Sequence, residues 1–262
     1  MSEPLITYEL DGNVALIGLN RPDKRNSIND PLIDELRAAV LQAHEEADVA
    51  VLFGHGTNFC AGLDLAEALA RATGQIKPPR KRKRHNWHEV FDLIERGPIP
   101  FVAALHGAVV GGGLELATAA HVRVGDESAL FGLPEGQRGI FVGGGGTVRI
   151  QRVVGTTVMM DMMLTGRLLT AAEGLQEKVI RYVTPVGEAL AKAKELAHRI
   201  AKNSVETNWM IVNVLPRIHD MTHNDGLFVE QLNSARARPP EAEARLREFV
   251  DGKAKKIQDN QA

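Results

Sequence analysis

Two glutamates lie beside glycine-rich backbone: Glu115 in VGGGLELATAAH and Glu135 in FGLPEGQRGI. A third glycine-containing turn, NFCAGLDL, lies upstream. Two carboxylates near one site can divide proton transfer between them, one accepting a proton while the other supplies one. Exposed main-chain amides add donors for a developing oxyanion. The set points to enolate-type chemistry on a carbonyl.

Gly111, Gly112 and Gly113 have no side chains, so a ligand can approach their backbone closely. A helix is predicted from about Leu114, where the first amides are unpaired and the helix dipole is positive. The Gly112 N–H then becomes a donor for an oxyanion, and Glu115 sits in the first turn near the same spot. Read alone, this stretch could equally serve helix–strand packing, with Glu115 complementing the dipole. In NFCAGLDL the chain turns at Gly62 and presents the Leu63 amide, and Asp64 can cap a following helix. Two amides from separate loops make an oxyanion hole, each worth about 2.7–4 kcal/mol of transition-state stabilisation. Cys60 reads as a small buried residue and not a nucleophile, since the sequence marks no base for it. Glu135 follows Pro134 among Gly, Leu and Phe. Apolar surroundings raise a carboxyl pKa, which suits general acid–base work. By itself, Glu135 could equally be an exposed loop residue.

The elements that must position these groups are legible as apolar runs between turn signals. Val14–Leu19 (VALIGL) is a buried strand ended by Asn20, Arg21 and Pro22. Asn29 or Asp30 caps a helix with Pro31 in its first turn and Leu32, Ile33, Leu36, Val40 and Leu41 as its apolar stripe. Strands follow at 49–53, 101–105, 122–124 and 129–131, with one helical stretch running from the glycines at 143–146 through Met163. The order is strand, strand, helix, repeated with glycine elbows. From about Gly187 the pattern becomes helical, with Leu190, Ala193, Ala197 and Ile200 on one face and Leu196 beside it.

Composition limits the alternatives. The 262 residues are 44% hydrophobic and 24% charged, an ordinary globular balance with a substantial core. A net charge of −2 gives no global basic excess for nucleic acid or an anionic membrane. One cysteine excludes an intrachain disulfide, and there is no zinc-ligand spacing. The N-terminal MSEPLITYELDG has neither a basic nor an apolar leader pattern, and no apolar run approaches the roughly 18 residues of a membrane helix. These features lead us to expect a cytoplasmic protein. GGGGTVRI does not fit G-x-G-x-x-G, HEVFD lacks the second histidine of H-E-x-x-H, and there is no G-x-S-x-G elbow. Arg80–Arg84, in QIKPPRKRKRH, reads as an exposed charged loop, with contact to phosphates or nucleic acid as the alternative.

Taken together, LNRPDKRNSIN, NFCAGLDL, PFVAALHGAVVGGGLELATAAHVRV, ALFGLPEGQRGI, GGGGT, LTGRLLTAAEGLQEKVIRYVTP and the closing REFVDGK resemble the crotonase superfamily, also called the enoyl-CoA hydratase/isomerase family. They run in family order over most of the chain. The resemblance implies an α/β fold: a spiral core of ββα turns over residues 1–195 with the acyl-CoA site, and a C-terminal helical trimerisation region over 196–262, often giving hexamers. It implies an acyl-CoA thioester substrate and no separate cofactor or metal, with coenzyme A entering as part of the substrate. Leu63 and Gly112 match the family's oxyanion-hole amides, and Glu115 and Glu135 match the two glutamates of its hydratases. Ala61 and Asp64 belong to the AGxDL stretch that lines the CoA path, and Arg25 lies in the segment that often approaches the nucleotide end. Keeping both glutamates favours reversible addition of water to a 2-enoyl-CoA, giving a 3-hydroxyacyl-CoA. The alternatives are double-bond isomerisation or another crotonase reaction, and RNA binding or scaffolding through Lys81, Arg82, Lys83 and Arg84. His121 stands where the family often has Asp, and Lys178 where it commonly has Gly. Trp87 and Phe91 either shape the acyl pocket or belong to the core.

Overall fold

Strands whose side chains are apolar at every position must be buried on both faces. In the computed structural model, which describes residues 3–76, 86–236 and 240–252, three such strands, Val14–Leu19, Val49–Gly54 and Phe101–Leu105, form the middle of the main sheet. β1 (Ile6–Asp11) and β2 (Val14–Leu19) form an antiparallel hairpin with Asp11 opposite Val14, turning at Gly12 with φ +61°. After α1 (Asp30–Glu46), β3 (Val49–Gly54) returns parallel to β2. α2 (Leu65–Ala72) and α3 (Asn86–Arg96) precede β4 (Phe101–Leu105), which leads into β5 (Ala108–Val110) and α4 (Gly112–Ala117). The same pattern recurs with β6 (Val122–Asp126), β7 (Leu130–Gly132), α5 (Gly146–Val154) and α6 (Thr156–Thr165). β8 (Leu168–Leu169), α7 (Ala171–Gln176), β9 (Tyr182–Thr184) and α8 (Ala189–Ile200) follow. From β4 onward the chain passes back and forth between two sheets, one ordered β1-β2-β3-β4-β6-β9 and the other β5-β7-β8. This is the expected spiral of strand, strand and helix.

Alternation along β2 explains its unbroken apolar run. Ala15, Ile17 and Leu19 enter one core with Leu32, Ile33, Leu36 and Val40 of α1. Val14 and Leu16 enter a second core on the opposite face, where Ala189, Ala193, Leu196 and Ala197 of α8 pack. The expected cap of α1 is Asn29, whose side chain accepts from Leu32 N at 3.1 Å. Leu41, placed on the apolar stripe by sequence, is only half-buried.

Three features depart from the sequence reading. β1 was not expected, because Thr7, Glu9 and Asp11 interrupt its apolar positions; it is an edge strand that pairs with β2 alone. The stretch after the four glycines is two helices, broken where Gly155 adopts φ +80°. Contacts divide the chain into Met1–Ala201 and Lys202–Ala262, whereas a boundary at 195/196 falls within α8. The second unit holds α9 (Val205–Asn213), α10 (Leu215–His219), α11 (His223–Arg236) and α12 (Pro240–Val250), with no strand among its described residues. The basic run Arg80–Arg84 lies outside the described residues. Lys178, at a position where glycine is common in the resembling family, holds φ +66°, the left-handed region that favours glycine.

One buried side chain fixes the turn ahead of α1. Asn26, at φ +53° and fully buried, accepts from Arg21 N at 2.8 Å and donates to His55 O at 2.9 Å and Asn58 O at 2.7 Å. Asn26→Ala would leave several buried main-chain groups unpaired at once. We expect it to destabilise the protein by about 2–3 kcal/mol, read as a lower denaturant midpoint.

Candidate active site

α4 is short and wholly buried, and it starts at Gly111, whose φ of +56° and ψ of −123° suit only glycine. That turn sets Glu115, 2% exposed, against the glycine loop before α5. Glu115 Oε1 accepts from Gly144 N at 2.7 Å and Gly146 N at 2.8 Å. A side chain at position 146 could not fit, since its Cβ would lie 2.8 Å from Glu115 Oε1. Two converging N–H donors complement an anionic oxygen. Among the described residues no donor reaches Oε2.

Glu135 follows β7 through Leu133 and Pro134, and a 3-10 turn over Gly136–Arg138 comes directly after it. It is 6% exposed, and its Oε2 is buried with no hydrogen-bond partner. Burial first, and then the charge of Glu115, push the Glu135 carboxyl above the usual carboxylate range, against the opposing pull of its own backbone amide and of Arg138. Glu115 and Glu135 line one cavity of about 250 Å³ together with Leu63, Trp87, Gly112 and Ile140. Two residues on separate elements thus converge, one carboxyl held by amides and the other raised toward its protonated form.

The turn carrying Leu63 meets α4 because glycines allow backbone to touch backbone. Cys60 N donates to Ala108 O at 2.9 Å and Val110 N to Cys60 O at 3.1 Å, a short bridge beside β5. A Cβ at Gly62 (φ +85°) would lie 2.5 Å from Val110 O and 3.1 Å from Gly112 N, and one at Gly113 would lie 2.2 Å from Cys60 O. Leu63 is fixed on both sides, since Ile28 N donates to Gly62 O and Asp64 N to Ile28 O. Neither Leu63 N nor Gly112 N reaches an acceptor among the described residues. The fold therefore presents two unpaired amides at the cavity that also holds both carboxyls. Cys60 is fully buried and its thiol is pushed up to about 12, chiefly by burial, so it is no nucleophile.

A second cavity of about 590 Å³ shares Leu63, Glu135 and Ile140 with the first. It is lined by Arg25, Ala61 and Asp64, with Lys24 and Arg138 adding positive charge. Asp64 is already engaged. It bonds Arg21 at 3.0 Å and caps α2 through Glu67 N at 3.2 Å. Burial opposes ionisation, but the Glu67 amide and the Arg21 guanidinium hold its carboxyl below the ordinary range. Its role is that of a strut between the turn before α1 and the start of α2. Trp87 lines the first cavity, whereas Phe91, one turn on, is fully buried in the core. His121 lies apart from this chemistry. Its Nδ1 accepts from Phe101 N at 2.9 Å while Nε2 faces Glu95 O at 3.1 Å, and burial above all depresses its pKa to about 4.

Sequence reasoning missed the amides of Gly144 and Gly146. The signal is four successive glycines, more than one turn requires; the sequence marks them as a helix start and as part of the family resemblance, but not as donors to Glu115. Among the described residues no cluster of His, Cys, Asp and Glu could hold a metal ion, and no helix is long and apolar enough to cross a membrane.

Residues 9–237 match the family model described as Enoyl-CoA hydratase/isomerase. The Dictyostelium discoideum protein called "Probable enoyl-CoA hydratase, mitochondrial" is 33% identical over 230 residues, covering 86% of this chain and 80% of that protein. "Probable enoyl-CoA hydratase 2, mitochondrial" of Arabidopsis thaliana is 32% identical over 225 residues, covering 85% and 73%. A solved structure from Rhodopseudomonas palustris superposes with a TM-score of 0.87 at 42% identity, covering 97% of each chain. That of the Bacillus anthracis enoyl-CoA hydratase gives 0.85 at 28% identity, covering 95% and 96%.

Proposed function

Because this chain belongs to the enoyl-CoA hydratase/isomerase family, we propose that it adds water reversibly to a 2-enoyl-CoA thioester, giving the 3-hydroxyacyl-CoA. The observation that carries this reading is the convergence of Glu115 and Glu135 on one cavity beside two unpaired amides. The thioester oxygen accepts from Leu63 N–H and Gly112 N–H. These donors stabilise the enolate-like state more than the ground state, which is what accelerates the chemical step. Glu115, with Oε1 fixed by Gly144 and Gly146, takes a proton through Oε2 from the water that attacks C3. Glu135, raised toward its protonated form, gives a proton to C2. Water's oxygen and one proton end on C3, the Glu135 proton ends on C2, and the proton on Glu115 is exchanged to restore the pair. The step needs carboxyls and amides alone, and coenzyme A enters as part of the substrate.

The larger cavity suits the rest of the thioester. Lys24, Arg25 and Arg138 line it beside the carboxylate of Asp23 and can pair with phosphates, and Ala61 leaves room beside the path. The unit Lys202–Ala262 exposes large apolar side chains, among them Ile211, Leu215, Phe228 and Leu232. Such surface supports self-association as a trimer or dimer of trimers.

The test is the loss of conjugated enoyl-thioester absorbance on mixing the protein with 2-enoyl-CoA substrates of short and medium chain length. We expect turnover and the appearance of 3-hydroxyacyl-CoA. No turnover across the panel, or a 3-enoyl-CoA consumed faster than its 2-enoyl isomer, would overturn the hydratase reading.

A further inference from the structure

A charged residue outside both cavities bonds to the backbone that holds Glu115. Arg149, in α5, is only 6% exposed. Its Nε donates to Glu95 Oε2 at 2.8 Å, a terminal nitrogen donates to Asp92 Oδ1, and the other donates to Gly144 O at 2.9 Å. Gly144 in turn donates its own N–H to Glu115 Oε1. A single residue of the glycine loop is therefore gripped from behind by a guanidinium while it grips the carboxylate in front. Gly145, next in the chain, holds φ +97°, and a Cβ there would lie 2.2 Å from Arg149 Nη1. The loop's glycines make this stacking of guanidinium, backbone and carboxylate sterically feasible.

We infer that Arg149 is a positioning residue for the reaction. It locks the Gly144 carbonyl, so that the amides of Gly144 and Gly146 fix Glu115 Oε1 and leave Oε2 aimed at water. The inference rests on the hydratase reading given above.

Electrostatics favour this role over direct action on Glu115. Asp92 and Glu95, three residues apart on one face of α3, supply two carboxylates to the guanidinium. The cation is balanced by its own partners and does not neutralise Glu115. The planar fork of arginine reaches two carboxylates and a carbonyl at once, whereas a lysine ammonium is a point charge. The same clamp joins α3, which carries Trp87 at the cavity wall, to the loop on the far side of Glu115.

The experiment compares wild type, R149K, E115Q and the double variant, with kcat and KM measured separately on a 2-enoyl-CoA. R149K is expected to lower kcat about 10–100-fold, the scale of a misplaced reacting group, while KM changes less than about threefold. In the E115Q background R149K should cause almost no further loss of kcat, because the group it positions is gone. E95Q, which weakens the clamp while keeping the arginine, should show a smaller loss with the same pattern, and it serves if R149K does not fold. A wild type without hydratase turnover sinks the reading and this inference with it. An active wild type whose R149K and E95Q keep full kcat, or whose losses multiply fully with that of E115Q, sinks the inference alone.

Discussion

Glu115→Gln is expected to lower kcat by about 10²–10⁴-fold, the usual contribution of a positioned general base, with KM nearly unchanged. The substitution preserves shape. A glutamine carbonyl oxygen can accept the same two N–H bonds, from Gly144 and Gly146, that Glu115 Oε1 accepts. The amide group that replaces Oε2 has no lone pair able to take a proton from water at neutral pH. The loss therefore isolates base chemistry from packing. Glu115→Ala would not, since it would leave two buried amides without an acceptor and add a folding cost of about 1–3 kcal/mol for each. The measurement is steady-state kinetics on a 2-enoyl-CoA, with thermal unfolding as the control for fold. A Glu115→Gln enzyme within a few-fold of wild type would remove Glu115 from the water-activating step.

Much of the fold could be read from local sequence because its signals are local. An apolar run such as VALIGL has to be a doubly buried strand, and both of its faces are covered, by α1 and α8. Asn29 and Pro31 mark the start of α1 by chemistry confined to one turn. The glycines beside Glu115 and before Leu63 were visible for the same reason. What could not be read depends on distant partners. The clamp on Glu115 joins residues 29 and 31 positions apart, and the guanidinium behind it reaches 54 positions back to Glu95. Neither leaves a spacing rule in the chain. Trp87 and Phe91 share one helical face, and sequence alone does not decide which of them reaches the cavity; burial gives that place to Trp87. Asp64 lines the larger cavity as the family resemblance suggested, yet both of its oxygens are tied to Arg21 and the α2 amide.

Glu135→Gln should move activity and stability in opposite directions. Its kcat is expected to fall by about 10²–10⁴-fold, since the amide cannot deliver a proton to C2. Its thermal midpoint is expected to rise relative to wild type at alkaline pH. Burial and the charge of Glu115 raise the folded-state pKa of Glu135 above the value near 4.3 of an unfolded glutamate. A raised pKa means the folded state binds this proton more tightly than the unfolded state does. The stability it contributes is complete below the unfolded pKa and is lost as pH rises through the folded pKa. Above that point wild type must bury an anion whose Oε2 has no partner, and the neutral glutamine does not. The gain should shrink toward zero as pH falls below the unfolded-state pKa, where neither side chain carries charge. The same titration should switch off wild-type hydration on its alkaline limb, because the proton donor is then lost. Thermal scans of the two proteins from pH 4 to 9 test the argument. If their midpoints stay parallel across that range, Glu135 is not held toward its protonated form, and its assignment as the proton donor to C2 goes with it.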